Sequence, residues 1–287
     1  MKNTLKRLLP SKLKTKIKAM LFDEQDQLKS KISTSISDNQ IYPNFCLQAS
    51  MHMEIFAQFR RNEVYRQILE HVSPSEGKQY LSEIQNKYPE LLTQIELFKE
   101  NDFWGNPEIV PYEGIGNICP STLRYIKVYG DLKQYFGTLN DLQICEIGVG
   151  YGGQCRIINS DASPKEYTLV DIKPALMLAQ CFLDNYILKA VAKYKTMNEL
   201  ETQKFDLLIS NYAFTELPRN IQDVYLKKAI LQSKRGYITY NDISPDYFQS
   251  YKKEELLKII PHSRIIEEIP LTHEKNCIII WGDENHQ

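Results

Sequence analysis

The stretch ICEIGVGYGG (144–153) restricts the fold of this chain more than any other part of its 287 residues. A short apolar run of strand character ends in glycines at positions 148, 150, 152 and 153, and a helical spacing follows. A strand-to-helix turn this rich in glycine brings main chain against a ligand, because side chains would block the approach.

Beyond Asp141 the apolar pattern alternates between strand and helix. It predicts strands at 142–147, 167–172 (YTLVDI), 205–210 (FDLLIS) and 236–241 (GYITYN). Helices are expected near 153–160, 174–190, 219–233 and 252–260, and two more strands at 265–269 and 277–281. Such alternation predicts a mostly parallel sheet covered on both faces, an α/β fold of Rossmann-like type. Only the LTHEKN turn separates the last two strands, so they are expected to pair as an antiparallel hairpin at the C-terminal end of the sheet.

Upstream, residues 1–100 read as a helical region, 101–118 as a loop and 119–287 as the sheet domain. Seven Lys and Arg residues precede the first acid, Asp23, and Leu13, Ile17, Met20 and Leu21 form an apolar stripe among them. Residues 1–22 therefore suit an anionic membrane surface, as a peripheral contact at the inner face, or a docked helix with a solvated lysine face. Residues 30–43 are polar and read as a loop, 51–72 as a helix, and Ser73-Pro-Ser-Glu76 as a capping box opening the next helix. A further helix is expected from Pro89. In NDFWGNPEIVPYEGIGNI (101–118), glycine and proline surround Phe103, Trp104 and Tyr112, which predicts an ordered loop and a candidate lid. Its aromatic rings suit stacking on a ligand or anchoring the loop to the body. A helix is expected over 121–136.

Bulk properties exclude several classes. A net charge of -1 gives the surface no general attraction for nucleic acid. The six cysteines are scattered without a C-x-x-C pair, as expected of reduced, mostly buried thiols in a cytoplasmic protein. No apolar run approaches the roughly 18–20 residues that span a bilayer. No His/Cys cluster suggests a metal.

Gly148, Gly150 and Gly153 satisfy the dinucleotide pattern G-x-G-x-x-G, while Gly148, Gly150 and Gly152 equally satisfy G-x-G-x-G. The glycines alone leave a nicotinamide cofactor and S-adenosyl-L-methionine both open. Glu146 lies two residues before the first glycine, where a carboxylate would repel a pyrophosphate and favour a sulfonium and ammonium-bearing ligand. Asp171 ends the next strand, placed to accept from ribose hydroxyls of either cofactor. The turn also sits in mid-chain behind a helical region, with a hairpin closing the sheet. Together these features resemble the class I S-adenosylmethionine-dependent methyltransferases over about residues 119–287. The resemblance implies that Glu146, Gly148, Gly150 and Gly152 surround the methionine end of the cofactor and that Asp171 holds its ribose. The strings NDFWGNP, GNICPSTLRYIKVYGDL, EIGVGYGGQ and SNYAFTELPR further resemble a bacterial family of sugar O-methyltransferases, back to about residue 101. That implies a saccharide acceptor: a nucleotide sugar, a lipid-linked intermediate or a polymer.

An alcohol acceptor needs a base within about 3 Å of its oxygen. Open α/β sheets bind ligands outside the carboxyl ends of their strands, so the base should follow 205–210 or its neighbour. Glu216 is the first candidate, Asp242 the second and His273, in the hairpin turn, the third. Asn211 suits the cofactor or acceptor, and Arg124 suits the cofactor carboxylate through a charge-assisted pair. The competing readings are a nicotinamide-dependent sugar oxidoreductase or epimerase, and a non-catalytic glycan-assembly partner.

Overall fold

A computed structural model describes residues 40–283 of the chain. The basic stretch 1–22 lies outside the described residues. The helical layer comprises α1 (Ile41–Met51), α2 (Glu63–Ile68), α3 (Pro74–Lys87) and α4 (Ile95–Lys99). The expected single helix over 51–72 is not formed. Its first part belongs to α1, which starts inside the expected 30–43 loop, and extended backbone at His52 and Asn62 interrupts the rest. The apolar residues of this stretch serve several short elements that turn over a curved core, and a helical period alone does not reveal such breaks. The capping box of α3 is formed: Ser73 N–H donates to Glu76 Oε2 (2.7 Å) and Glu76 N–H donates to Ser73 Oγ (3.2 Å).

The 101–118 segment is ordered and contains a small hairpin, β1 (Val110–Tyr112) with β2 (Gly116–Ile118). Tyr112 donates to the Pro74 carbonyl (3.1 Å), and the Trp104 ring lies 6.0 Å from that of Phe56. These two aromatics anchor the segment to the body, whereas Phe103 is exposed.

α5 (Pro120–Phe136) follows, with proline at its first turn and Gly137 at φ 70° just past its end, the asymmetry that sharply bounds a helix. The sheet is built from β3 (Gln143–Ile147), β4 (Glu166–Val170), β5 (Val191–Lys195), β6 (Phe205–Asn211), β7 (Ser233–Tyr240), β8 (Arg264–Ile266) and β9 (Cys277–Trp281). Their order is β5-β4-β3-β6-β7-β9-β8. Strands β3 to β7 pair in parallel, and β9 runs antiparallel to both β7 and β8. The fold is therefore the expected Rossmann-like sheet with its C-terminal antiparallel hairpin. Strand β5 is absent from the sequence reading, which carries a helix through 174–190. The helix there, α7, covers only Lys173–Leu183. Strand β5 (VAKYK) is a half-exposed edge with no apolar run to reveal it.

Side chains alternate across the sheet and feed two cores. Ile144, Tyr167, Leu169 and Ile209 face α5, α6 (Gly153–Asp161), α7 and the helical layer. Cys145, Ile147, Leu208 and Ile238 face α8 (Arg219–Lys228) and α9 (Lys253–Ile259). Helix α5 lies between the sheet and the helical layer, so Pro120 to Leu132 are all buried. Its charges are consequently paired inside: Lys127 Nζ donates to Asp131 Oδ2 (2.7 Å), which Tyr237 also reaches (2.6 Å).

A second buried network ties the layer down. Arg60 donates to Glu70 Oε1 (2.7 Å), Asp102 Oδ1 (3.1 Å) and the Asn101 carbonyl (2.8 Å). Asp102 in turn accepts from Thr122 Oγ1 (2.6 Å) and from Cys119 N–H (2.8 Å) at the start of α5.

Candidate active site

Strand order reverses between β3 and β6, and ligand crevices of open α/β sheets lie at such a switch point, outside the carboxyl ends of the strands. The glycine turn leaves β3 at this place. Gly148, Gly150 and Gly152 have φ of 79°, 54° and 86°, a region L side chains rarely enter. A Cβ on Gly150 would come within 2.7 Å of Leu69 Cδ1, and one on Gly148 within 2.0 Å of Ala213 Cβ. The turn is therefore a cradle that two of the chain's own side chains cover: Leu69 just after α2, and Ala213 from the exit of β6.

Glu146 is buried, and Tyr167 donates to its Oε2 (2.7 Å). Burial pushes its carboxyl up to about 8, against the pull of the Tyr167 hydrogen bond, and nearby Asp171 adds to the rise. Its low-dielectric surroundings thus oppose the ionised form that the sequence reading assumes. Asp171 is half-buried at the end of β4 and accepts from Gly150 N–H (3.1 Å) and Ile172 N–H (2.7 Å).

At the exit of β6, Ser210 Oγ donates to the Ile147 carbonyl (3.0 Å) and accepts from Phe214 N–H (3.1 Å), pinning this turn to the end of β3. Tyr212 sits at φ 69°, ψ -42°, a strained conformation for an aromatic residue costing on the order of 1–3 kcal/mol. Such strain persists where surrounding contacts hold it, and here they do. Tyr212 OH donates to Glu268 Oε1 (2.6 Å), and the Arg124 guanidinium lies 5.7 Å over its ring. Buried Glu268 also accepts from Thr272 N–H (3.0 Å) and Thr272 Oγ1 (2.8 Å). A cleft opens here, lined by Tyr80, Arg124, Asn211, Tyr212, Thr239 and Glu268 among others.

The residues expected from sequence thus fall into three places. Glu146, the glycines and Asp171 gather at the ends of β3 and β4. Arg124 and Asn211 meet in the cleft beside them. The three proposed bases are elsewhere. Glu216 closes the turn Ala213–Glu216, accepts from Asn241 Nδ2 (2.7 Å) and is raised by burial, but does not line the cleft. Burial pushes Asp242 up, yet Lys252 (3.2 Å) and Lys275 (3.6 Å) outweigh it and hold the carboxyl below its usual range. His273 is exposed in the turn before β9. The structure also places Leu69 over the glycine turn and Tyr212 and Glu268 in the cleft, none of them singled out by the sequence reading. The rule that ligands lie beyond strand ends pointed to Tyr212, whose neighbours were chosen instead; no local signal marks the other two.

The donor set fits S-adenosyl-L-methionine: a side-chain-free turn, a carboxyl behind it for a cation, and a carboxylate at the next strand end for a ribose. What lies over Gly150 is the far end of the flexible Leu69 side chain. Among the described residues no cluster of three His, Cys, Asp or Glu side chains could hold a metal. No helix among them is long and apolar enough to cross a membrane.

No family model matches the chain, and no curated protein matches it. Solved structures that it is similar to include magnesium protoporphyrin IX methyltransferase from Synechocystis with bound SAH, at 14% identity and a TM-score of 0.43, covering 55% of this chain and 80% of that one. A second is the methyltransferase domain of a bacterial Hen1, at 13% identity and a TM-score of 0.42, covering 55% and 96%. A third is a Thermoplasma acidophilum protein, at 17% identity and a TM-score of 0.38, covering 58% and 90%.

Proposed function

We propose that this chain is an S-adenosyl-L-methionine-dependent O-methyltransferase acting on a saccharide hydroxyl. The observation that carries the reading is Glu146, a buried carboxyl set behind a glycine turn at the switch point of the sheet. A pyrophosphate beside it would make ionising that carboxyl costlier still. A cationic ligand instead relieves the burial by pairing with the ionised carboxyl. When bound, the cofactor supplies a methyl group on positively charged sulfur. Asp171 holds the ribose, and the glycine turn gives main-chain contact where a Cβ would intrude.

The chain's remaining tasks are to orient the acceptor hydroxyl, exclude water and take its proton. A base must reach the acceptor oxygen, and Glu268 is the carboxylate that lines the cleft, acting through the Tyr212 hydroxyl. Glu268→Gln is expected to lower transfer by about 100-fold or more, with Glu216→Gln losing less than about tenfold. The assay follows labelled methyl from the cofactor into glycans of cells lacking the gene. The reverse ranking returns the role to Glu216.

Calorimetry with S-adenosylhomocysteine and with NAD tests the cofactor. Binding of NAD alone would replace the reading with a nicotinamide-dependent sugar oxidoreductase or epimerase. Cofactor binding with no labelled product from those glycans would favour a non-catalytic glycan-assembly partner. Leu69→Ala removes a displacement cost on the order of 1 kcal/mol, so S-adenosylhomocysteine should bind this variant about fivefold more tightly. Unchanged or weaker binding would mean that Leu69 does not stand in the cofactor's way.

A further inference from the structure

We infer that the cleft beside the glycine turn binds an oxyanion, and that the acceptor carries a carboxylate or phosphate group as well as the hydroxyl to be methylated. This rests on the methyl-transfer reading for what the hydroxyl is used for, but not for the anion site itself. Arg124 is buried to 7% exposure and has no carboxylate partner among the described residues. One N–H goes to the Leu69 carbonyl (3.2 Å), the Tyr125 side chain is also hydrogen-bonded to the guanidinium, and the rings of Tyr125 and Tyr212 lie against it. A guanidinium carries five N–H donors, and a cation buried to this degree ordinarily meets an anion.

Asn211 presents the same deficit. Its Oδ1 accepts from Thr239 Oγ1 (3.4 Å), which leaves Nδ2 buried without an acceptor. Glu268, the one carboxylate lining the cleft, is hydrogen-bonded to neither donor. Its oxygens accept from the Tyr212 hydroxyl and from the N–H and hydroxyl of Thr272. Lys127 is neutralised by Asp131. The cleft therefore presents a guanidinium with no carboxylate partner and an amide N–H with no acceptor, the complement of a carboxylate or a phosphate.

Its position separates it from the cofactor cradle. The lining comes from α3, α5, the ends of β6, β7 and β9, and the chain before β9. None of it comes from Gly148 to Gly153, Glu146 or Asp171. An anionic group entering from the mouth would reach Arg124 and Asn211 together, and Tyr80, Tyr212 and Tyr237 would supply flat apolar faces beside it. Arg124 thus passes from the cofactor's carboxylate, its sequence-based assignment, to the acceptor's anion.

The test uses the full-length protein saturated with S-adenosylhomocysteine. The probes are p-nitrophenyl β-D-glucuronide, the matching glucoside and the glucoside 6-phosphate. They share a ring and differ at one substituent. Binding is read by calorimetry and saturation-transfer NMR. One or both anionic probes should bind at least tenfold more tightly than the glucoside, and which one does separates carboxylate from phosphate. Arg124→Gln and Asn211→Ala should each erase that preference while changing S-adenosylhomocysteine affinity less than twofold. Equal binding of all three probes by the unaltered protein overturns the inference, and that comparison needs no variant to fold. So does a preference that survives Arg124→Gln, or a loss of S-adenosylhomocysteine affinity in that variant with the probes unaffected. If S-adenosylhomocysteine does not bind at all, the methyl-transfer reading fails. The probe comparison on the protein alone then still decides the oxyanion site.

Discussion

Arg60→Ala is expected to lower the free energy of unfolding by about 3–5 kcal/mol, the usual cost of breaking a buried ion pair by removing one partner. The Arg60 side chain is wholly buried, and the Glu70 and Asp102 side chains that it bridges are 4% and 7% exposed. Removing the guanidinium strands two carboxylates in a low-dielectric interior. Burial already pushes the Asp102 carboxyl up, with Arg60 the main opposing influence, so its loss should drive Asp102 to take a proton. Denaturant unfolding of Arg60→Ala beside the triple variant Arg60→Met, Glu70→Gln, Asp102→Asn separates the causes. The triple variant should recover most of the loss, because no charge is left without a partner. If Arg60→Ala unfolds within about 1 kcal/mol of the unaltered protein, the network is no more than a surface pair in energetic terms. The same network holds Glu70, next to Leu69, against the start of α5. Its rupture should therefore also loosen the cover over Gly150.

The second large effect concerns Glu146. An exposed glutamate titrates near 4.5, while this one is pushed up to about 8 by burial. Between those values the unfolded chain has given up the proton and the folded chain keeps it. The native state then binds more protons, and stability must fall as pH rises through this window. The group's contribution is fully present below about 4.5 and is lost as the pH reaches about 8. The total is on the order of a few kcal/mol. Glu146→Gln cannot ionise, so its advantage over the unaltered protein should grow from pH 5 to pH 8, the range spanned by these values. Parallel unfolding curves at each pH would mean that Glu146 titrates like an exposed acid. Binding of a cation behind the turn should also expel the proton. Calorimetry in two buffers of different ionisation enthalpy should then show proton release near pH 7 in the unaltered protein and none in Glu146→Gln.

Local pattern was a sound guide wherever one element carries its own signal. Gly148, Gly150 and Gly152 announced a turn with left-handed backbone, and Ser73 with Glu76 announced a helix start. Strand β9 (CIIIW) announced itself by an unbroken apolar run, and all five of its residues are buried. Strand β5 did not, because an edge strand exposed on one face needs no such run. The helical layer was misread between Met51 and Val72, where apolar spacing continued through backbone breaks at His52 and Asn62.

From its own order of residues, the chain determined the strand–turn–helix at 144–153, the alternation that makes two cores, and the carboxyls Glu146 and Asp171 beside the turn. These depend on neighbours within a few positions, which share a face through the helical or strand period. The tertiary structure alone decided which charges would be buried and what would line the cleft. Lys127 and Arg124 on α5 are interior because a second layer closes over that helix. Tyr212 meets Glu268 from 56 residues away, and Arg124 meets Leu69 from 55. No local period specifies such pairs. They form when separate elements are packed against each other, and packing sets the burial that gives these groups their chemistry.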